Sequence, residues 1–399
     1  MANFTGQLRT NSVFSALYNM ILGQVVFADN FQKHQTLVEQ SKESAGLFGD
    51  QKLFYAAQVL DSEVWRGHDT EAADLLNVKR PAAPACQALV IDNFRMVWVS
   101  TDEYLSKRAW STESAFADFT SVIIDMISQA KKIHEGTLYN TFIGTDETSV
   151  GAQSRSVDLR SASSGQPLYG LTGLEKYRMK GTLIAEHLAD LLVEMGDYSK
   201  NFNDYQYLRS YADENIKVVW NAKFANELRK VDMPTIFHKE NLVDKFEQEV
   251  LPERYFGITI TSSNISNYSA STPTTGKPID SDDGAYTPGV GNANGKVCSR
   301  VERTVTVGGT DYHVLPGDEL PAGATVGASK DFDLGEAFIP DPTIICKVMV
   351  KLPPMLTAFE TSTSFYNPRG LMTNRYLIWG YSTLEHLKNY PMITIRASL

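Results

Sequence analysis

Acid–base, nucleophilic and metal chemistry would have to rest on a few residue types, and the seven histidines come first: His34, His68, His134, His187, His238, His313 and His386. They are dispersed. None forms an HExxH pair or stands next to another, so neither a zinc site nor a histidine-based acid–base pair is written locally. Asp280, Asp282, Asp283 and Gly284 resemble the opening of a calcium loop, but Gly291 falls where the loop needs a bidentate glutamate. GNANGK at 291–296 resembles a phosphate cradle. It has too few residues between its glycines and is followed by Val297, where a hydroxyl should hold the magnesium. Cys86, Cys298 and Cys346 are far apart and odd in number, which suits neither a disulfide framework nor a CxxC metal site. Cys86 and Cys346 are expected to be small buried packing residues. The carboxylate pairs Asp102-Glu103 and Asp213-Glu214 read as solvated caps and turns. No catalytic, cofactor or metal residue is therefore assigned, and the chain is read as not an enzyme.

The elements that would have to position such groups point elsewhere. In 399 residues, 43% are hydrophobic and 21% charged, with a net charge of −10, which describes an ordered globular chain and disfavours dedicated nucleic-acid binding. No apolar run is long enough to span a membrane, and the opening MANFTGQLRTNSVF does not read as a secretion signal. A reducing compartment is expected. Residues 1–50 read as an extended arm with short helical pieces. Residues 53–99 read as a long two-armed excursion with strand-like ends, running through WRGHDTEAADLLNVKR and PAAPA to ALVIDNFRMVWVS.

Next comes the strongest periodic signal, residues 111–135. Ser111 or Thr112 serves as cap, and Phe116, Phe119, Ile123, Met126 or Ile127, Ala130 and Ile133 line one stripe. Lys131, Lys132 and His134 sit near the negative end, and Gly136 is the expected stop. A second helix is expected over about 174–195. NIKVVW then reads as a buried strand ending at Asn221, the cap of a helix AKFANELRKV. From about 258 to 334 the composition shifts to Thr, Ser, Asn, Gly, Pro and Asp, so the stretch reads as a surface insertion whose second half, RTVTVGGTDYHVL, is a hairpin on Gly308-Gly309. The chain ends in short aromatic strands.

Three passages carry a resemblance: DNFRMVWVSTDEYLSKRAWSTESAFADFTSVIIDMI, YLRSYADENIKVVWNAKFANEL and FYNPRGLMTNRYLIWGYSTLEHL. With the order of elements, which covers about three quarters of the chain, they resemble the major capsid proteins of tailed bacteriophages. Those proteins are built on the α+β Johnson fold shared with encapsulins, and the likeness is nearest to small short-tailed, podovirus-type phages. The resemblance implies a structural protein of the virion, made in the bacterial host cytoplasm. It would assemble as pentamers and hexamers into an icosahedral shell around double-stranded DNA, without sequence-specific DNA contacts, with portal and scaffold or decoration proteins as partners, and with no membrane and no cofactor.

The resemblance also implies a division of the chain. Residues 1–50 would be the N-terminal arm, 53–99 the extended loop, 100–179 the spine helix and peripheral domain, and 180–257 the apical domain. Residues 258–334 would be an insertion absent from the common fold, and 335–399 the C-terminal strands of both domains. Assembly contacts would fall at Trp65, Arg66, Lys79 and Arg80 in the loop and at Asn367 and Arg369 in the NPRG passage. An encapsulin-like compartment, a carbohydrate-binding module and a hydrolase are the alternatives.

Overall fold

The computed structural model describes residues 35–44, 51–62, 80–102, 113–146, 149–229, 247–262, 297–327 and 331–398. In chain order these form α1 (Thr36–Ser41), β1 (Lys42–Ser44), β2 (Gln51–Ala56), β3 (Ala85–Asp102), α2 (Glu113–Gly144), β4 (Thr145–Asp146), β5 (Ser154–Asp158), α3 (Gly173–Gly196), β6 (Lys217–Asn221) and α4 (Ala222–Arg229). There follow β7 (Glu247–Leu251), β8 (Gly257–Thr259), β9 (Cys298–Ser299), β10 (Arg303–Val307), β11 (Thr310–Val314), β12 (Ala337–Pro340), β13 (Ile344–Met349), β14 (Met355–Asn367), β15 (Met372–Ser382) and β16 (Met392–Ser398). The chain divides into two compact units, one of residues 1–50, 90–136 and 355–383, the other of residues 51–89, 137–354 and 384–399.

In the first unit the strand order is β1-β14-β15-β3, with β14, β15 and β3 antiparallel. Leu377, Trp379 and Tyr381 on one face of β15 are buried. Trp379 and Tyr381 meet the ring of His134 on α2, and His134 Nε2 lies 3.1 Å from the Tyr381 hydroxyl. β3 does not break at Asp92-Asn93. Tyr381 pairs with Asn93 and Ser382 with Ile91, so Asp92 is the extra residue of a bulge. Its carboxylate accepts the Thr383 N–H at 2.8 Å and the Thr383 hydroxyl at 2.6 Å, which ties the bulge to the residue that follows β15.

The long helix departs from expectation. Residues 111–112 and the side chains of 113–120, Phe116 and Phe119 included, lie outside the described residues; Ile123 and Ile127 are buried as the stripe requires, whereas Met126 is exposed. Gly136 does not stop the helix, which runs on to Gly144. The extra turns bury Tyr139, Phe142 and Ile143, and such packing outweighs the roughly 1 kcal/mol that an interior glycine costs. His134 is consequently a buried residue in mid-helix rather than a charge near its end.

In the second unit a mixed sheet of order β5-β16-β13-β6-β7 carries the main core. Ile184, Leu188, Leu191 and Met195 of α3 and Phe224 of α4 pack with Val218, Val348 and Ile393 of the sheet. Every residue of β13 is buried, as expected of a central strand covered on both faces. Among its residues, Lys347 donates to the Thr145 carbonyl at 2.9 Å and stands 3.7 Å from Asp146 Oδ1. Asp146 Oδ2 meets Arg396 Nη2 at 2.5 Å, and Arg396 Nη1 faces Asp341 Oδ2 at 3.0 Å as an ion pair outside hydrogen-bond geometry. Two acids and two bases thus neutralise one another at the end of α2.

The insertion is more than a surface hairpin. β10 and β11 pair about Gly308-Gly309, both with positive φ (59° and 82°), as a primed turn demands. Val305, Val326, Phe332, Ala337 and Ile339 form a separate small core with Ile260. Composition argues against a core here only because the Thr, Ser and Gly content is averaged over a polar first half, and residues 263–296, with the Asp280 cluster and GNANGK, lie outside the described residues. Cys346 is buried as expected, and its thiol is pushed up by burial; Cys86 is exposed, because it occupies an outward position of β3.

Candidate assembly surface

The arrangement closest to a catalytic one joins Ser149, Asp204 and His386, residues no spacing connects. His386 Nε2 lies 2.8 Å from Asp204 Oδ2 and 3.2 Å from Ser149 Oγ. A relay needs the acid on one ring nitrogen and the hydroxyl on the other. Both here meet the same nitrogen, so the serine gains no base. Asp204 also accepts the Gly151 N–H at 2.6 Å, and the Ser149 hydroxyl accepts that of Ala152 at 3.0 Å. Burial tends to raise the Asp204 carboxyl, but the Gly151 N–H, the Ser149 hydroxyl and His386 together hold it below its usual value. The group is a polar lock for the loops that carry it. Among the described residues, no set of three or more His, Cys, Asp or Glu side chains is arranged to hold a metal ion.

The more telling surface is the outer face of the β14-β15-β3 sheet. In β3, Phe94, Met96, Val97, Trp98 and Val99 are apolar with Arg95 among them, so apolar side chains fall on both faces, a pattern that normally marks a strand covered on both. Among the described residues, only one face is covered. Val97 and Val99 are half-buried with the inward residues of β15, whereas Phe94, Met96 and Trp98 point outward and are 59%, 52% and 58% exposed. Across the sheet Trp98 stacks on Tyr376 with centroids 6.5 Å apart, and Phe365 on β14, 60% exposed, lies on the same face. The Phe94 ring lies over Gly380, where a Cβ would come within 2.9 Å of it. A glycine there keeps the face flat.

At the tip of the hairpin, Asn367 Oδ1 accepts the Arg369 N–H at 3.1 Å, and Leu371 adopts φ 51°. A left-handed leucine costs on the order of 1 kcal/mol. Asn367 and Arg369 are exposed beside Leu371. Arg80 is exposed on a different segment, and Trp65, Arg66 and Lys79 lie outside the described residues. Sequence reading missed Phe94, Met96, Trp98 and Phe365 as surface residues, since alternation alone does not tell a buried second face from an uncovered one.

No protein-family model matches the chain, and no curated protein is similar to it. Among solved structures it is similar to a chain of the capsid structure of Staphylococcus phage Andhra, with 11% identity, 90% of this chain and 83% of that chain covered, and a TM-score of 0.52. A chain from a structure of the head fiber and inner core protein of native bacteriophage P68 gives 9% identity, coverage of 89% and 83%, and a TM-score of 0.52. At these identities the likeness is one of fold. The chain has the α+β Johnson-like fold of phage capsid structures.

Proposed function

We propose that this chain is a shell-forming capsid subunit of a tailed bacteriophage, of the short-tailed podovirus type, which assembles with copies of itself as pentamers and hexamers around double-stranded DNA. The observation that carries the reading is an uncovered aromatic sheet face on a chain with this fold. Covering Phe94, Met96 and Trp98, each already about half covered, with a neighbouring copy contributes roughly 1–1.5 kcal/mol per side chain. Repeated around a closed lattice, that is ample to hold a shell. The net charge of −10 suits a container that confines DNA without gripping its phosphates. Residues 1–50, 53–99, 100–179, 180–257, 258–334 and 335–399 are proposed as arm, extended loop, spine and peripheral domain, apical domain, insertion and C-terminal strands. Contacts at Arg80, Asn367 and Arg369, and at Trp65, Arg66 and Lys79, belong to the same proposal, as do a portal and scaffold or decoration partners.

Negative-stain microscopy of the protein purified from expressing bacteria tests it. Closed particles of uniform size are expected, and Trp98→Ser should leave folded subunits that no longer close. Wild-type protein that stays monomeric at high concentration would sink the reading.

A further inference from the structure

The segment between β2 and β3 leaves and re-enters the second unit on neighbouring strands, and residues 57–62 and 80–84 on its two legs are exposed. Each leg is tied at its root. On the outgoing leg, the Ala57 carbonyl, one residue beyond β2, accepts from Arg209 Nη2 at 2.8 Å, and Nε of the same guanidinium donates to Asn389 Oδ1 at 3.2 Å. On the returning leg, Gln87 is buried two residues into β3. Its Nε2 donates to the His386 carbonyl at 3.0 Å, and its Oε1 accepts the Lys388 N–H at 3.0 Å.

Both ties end on one loop, residues 386–390, and that loop is itself fastened. Asp204 N–H donates to the Lys388 carbonyl at 2.8 Å, the Tyr211 hydroxyl to the Asn389 carbonyl at 3.0 Å, and His386 meets the Asp204 carboxylate. Ser199 and Arg209 exchange two backbone hydrogen bonds of 2.9 Å, which fix the base of the Arg209 side chain. Polar groups this well matched are more than chain closure needs. An exposed leg of six residues reaches roughly 20 Å, so an error of about 10° at its root moves its end by roughly 3.5 Å. That is the width of a side-chain contact.

We propose that Arg209 and Gln87 are positioning residues that set the angle at which the excursion between β2 and β3 leaves its subunit, and thereby the geometry with which one copy meets the next. The proposal rests on the shell reading. Arg209→Lys keeps the charge but cannot hold Ala57 and Asn389 in one plane, and Gln87→Ala removes the amide clamp. Amide hydrogen exchange on unassembled full-length protein and particle diameters by microscopy test both. Exchange at 51–57 and 85–89 should rise about tenfold in each variant while Val218, Val348 and Ile393 stay unchanged. Arg209→Lys particles should spread in diameter or fail to close, with the unfolding temperature of the free subunit preserved.

Unchanged exchange at the roots would overturn the anchor, whatever the particles look like. Raised exchange with uniform particles would reduce both residues to local structure and overturn the assembly role. If Gln87→Ala does not fold, Arg209→Lys decides alone, since that side chain is only half-buried. Absence of wild-type particles would instead overturn the shell reading and the assembly role with it, and the exchange rates at the roots would then decide the anchor by themselves.

Discussion

Asp204 holds its charge against burial because the Gly151 N–H, the Ser149 hydroxyl and His386 all favour the carboxylate. Its folded value lies below its unfolded value, so its contribution to stability is full above about pH 4–5 and is lost as pH falls through the lowered folded value. Asp204→Asn should therefore cost about 1 kcal/mol near neutral pH, with partial exposure taken into account, and the gap to wild type should close below about pH 4 in denaturant titrations. A gap that persists in acid would assign the effect to shape and not charge. The cluster of Asp146, Asp341, Lys347 and Arg396 is a sharper case. Asp146→Ala leaves the buried Lys347 without its acid and Arg396 with Asp341 alone, and should cost about 3–5 kcal/mol by chemical unfolding. Neither group was legible in the sequence, because pairs such as Asp146 and Arg396 are 250 positions apart and each looks like an ordinary surface charge.

At the scale of elements, two glycines on α2 show what local pattern conveys and what it leaves out. Gly136 has the surroundings of a helix stop, after Lys131, Lys132 and His134, yet a Cβ there would meet only the movable end of the Gln35 side chain. At Gly144, the true end, a Cβ would fall 2.1 Å from the Tyr255 carbonyl oxygen, which is backbone and cannot yield. Gly136→Ala should accordingly be near neutral, since about 1 kcal/mol of helix propensity is offset by the lost Gln35 bond to Lys132 O. Gly144→Ala should cost about 3 kcal/mol or more, and thermal unfolding of the two variants checks the contrast. Tertiary contact, not propensity, chose the terminus. Helix α3, strand β6 with α4, and the Gly308-Gly309 hairpin were legible because each is closed by local chemistry: an apolar period, an Asn at the strand–helix junction, and a turn that needs positive φ. The lengths of β3, β14 and β15 were not, since their partners are remote strands.

For the whole molecule, the insertion combines a small apolar core with a polar stretch, 263–296, whose composition suits a surface position. β8 and β9 flank β12 on opposite sides, with Thr259 and Cys298 both aligned to Phe338. With neighbouring strands about 4.8 Å apart, the chain leaving β8 must re-enter only about 10 Å away. Among the described residues, Ile260, Val305, Val326, Phe332, Ala337 and Ile339 form a small core of their own. Replacing 263–296 with six Gly and Ser residues, which span up to roughly 20 Å, should therefore leave the fold and its unfolding temperature unchanged. Removing 300–327 instead should strip Ile260 and Ile339 of their cover and destabilise the unit by several kcal/mol, because three or more large apolar side chains lose their burial. If 263–296 lies on the outside of a shell, the first variant also forms particles of wild-type diameter, and protease added to wild-type particles cuts within 273–294 before any other site. If the variant folds with an unchanged unfolding temperature but forms no particles, the segment is an inter-subunit contact and its exterior placement is wrong.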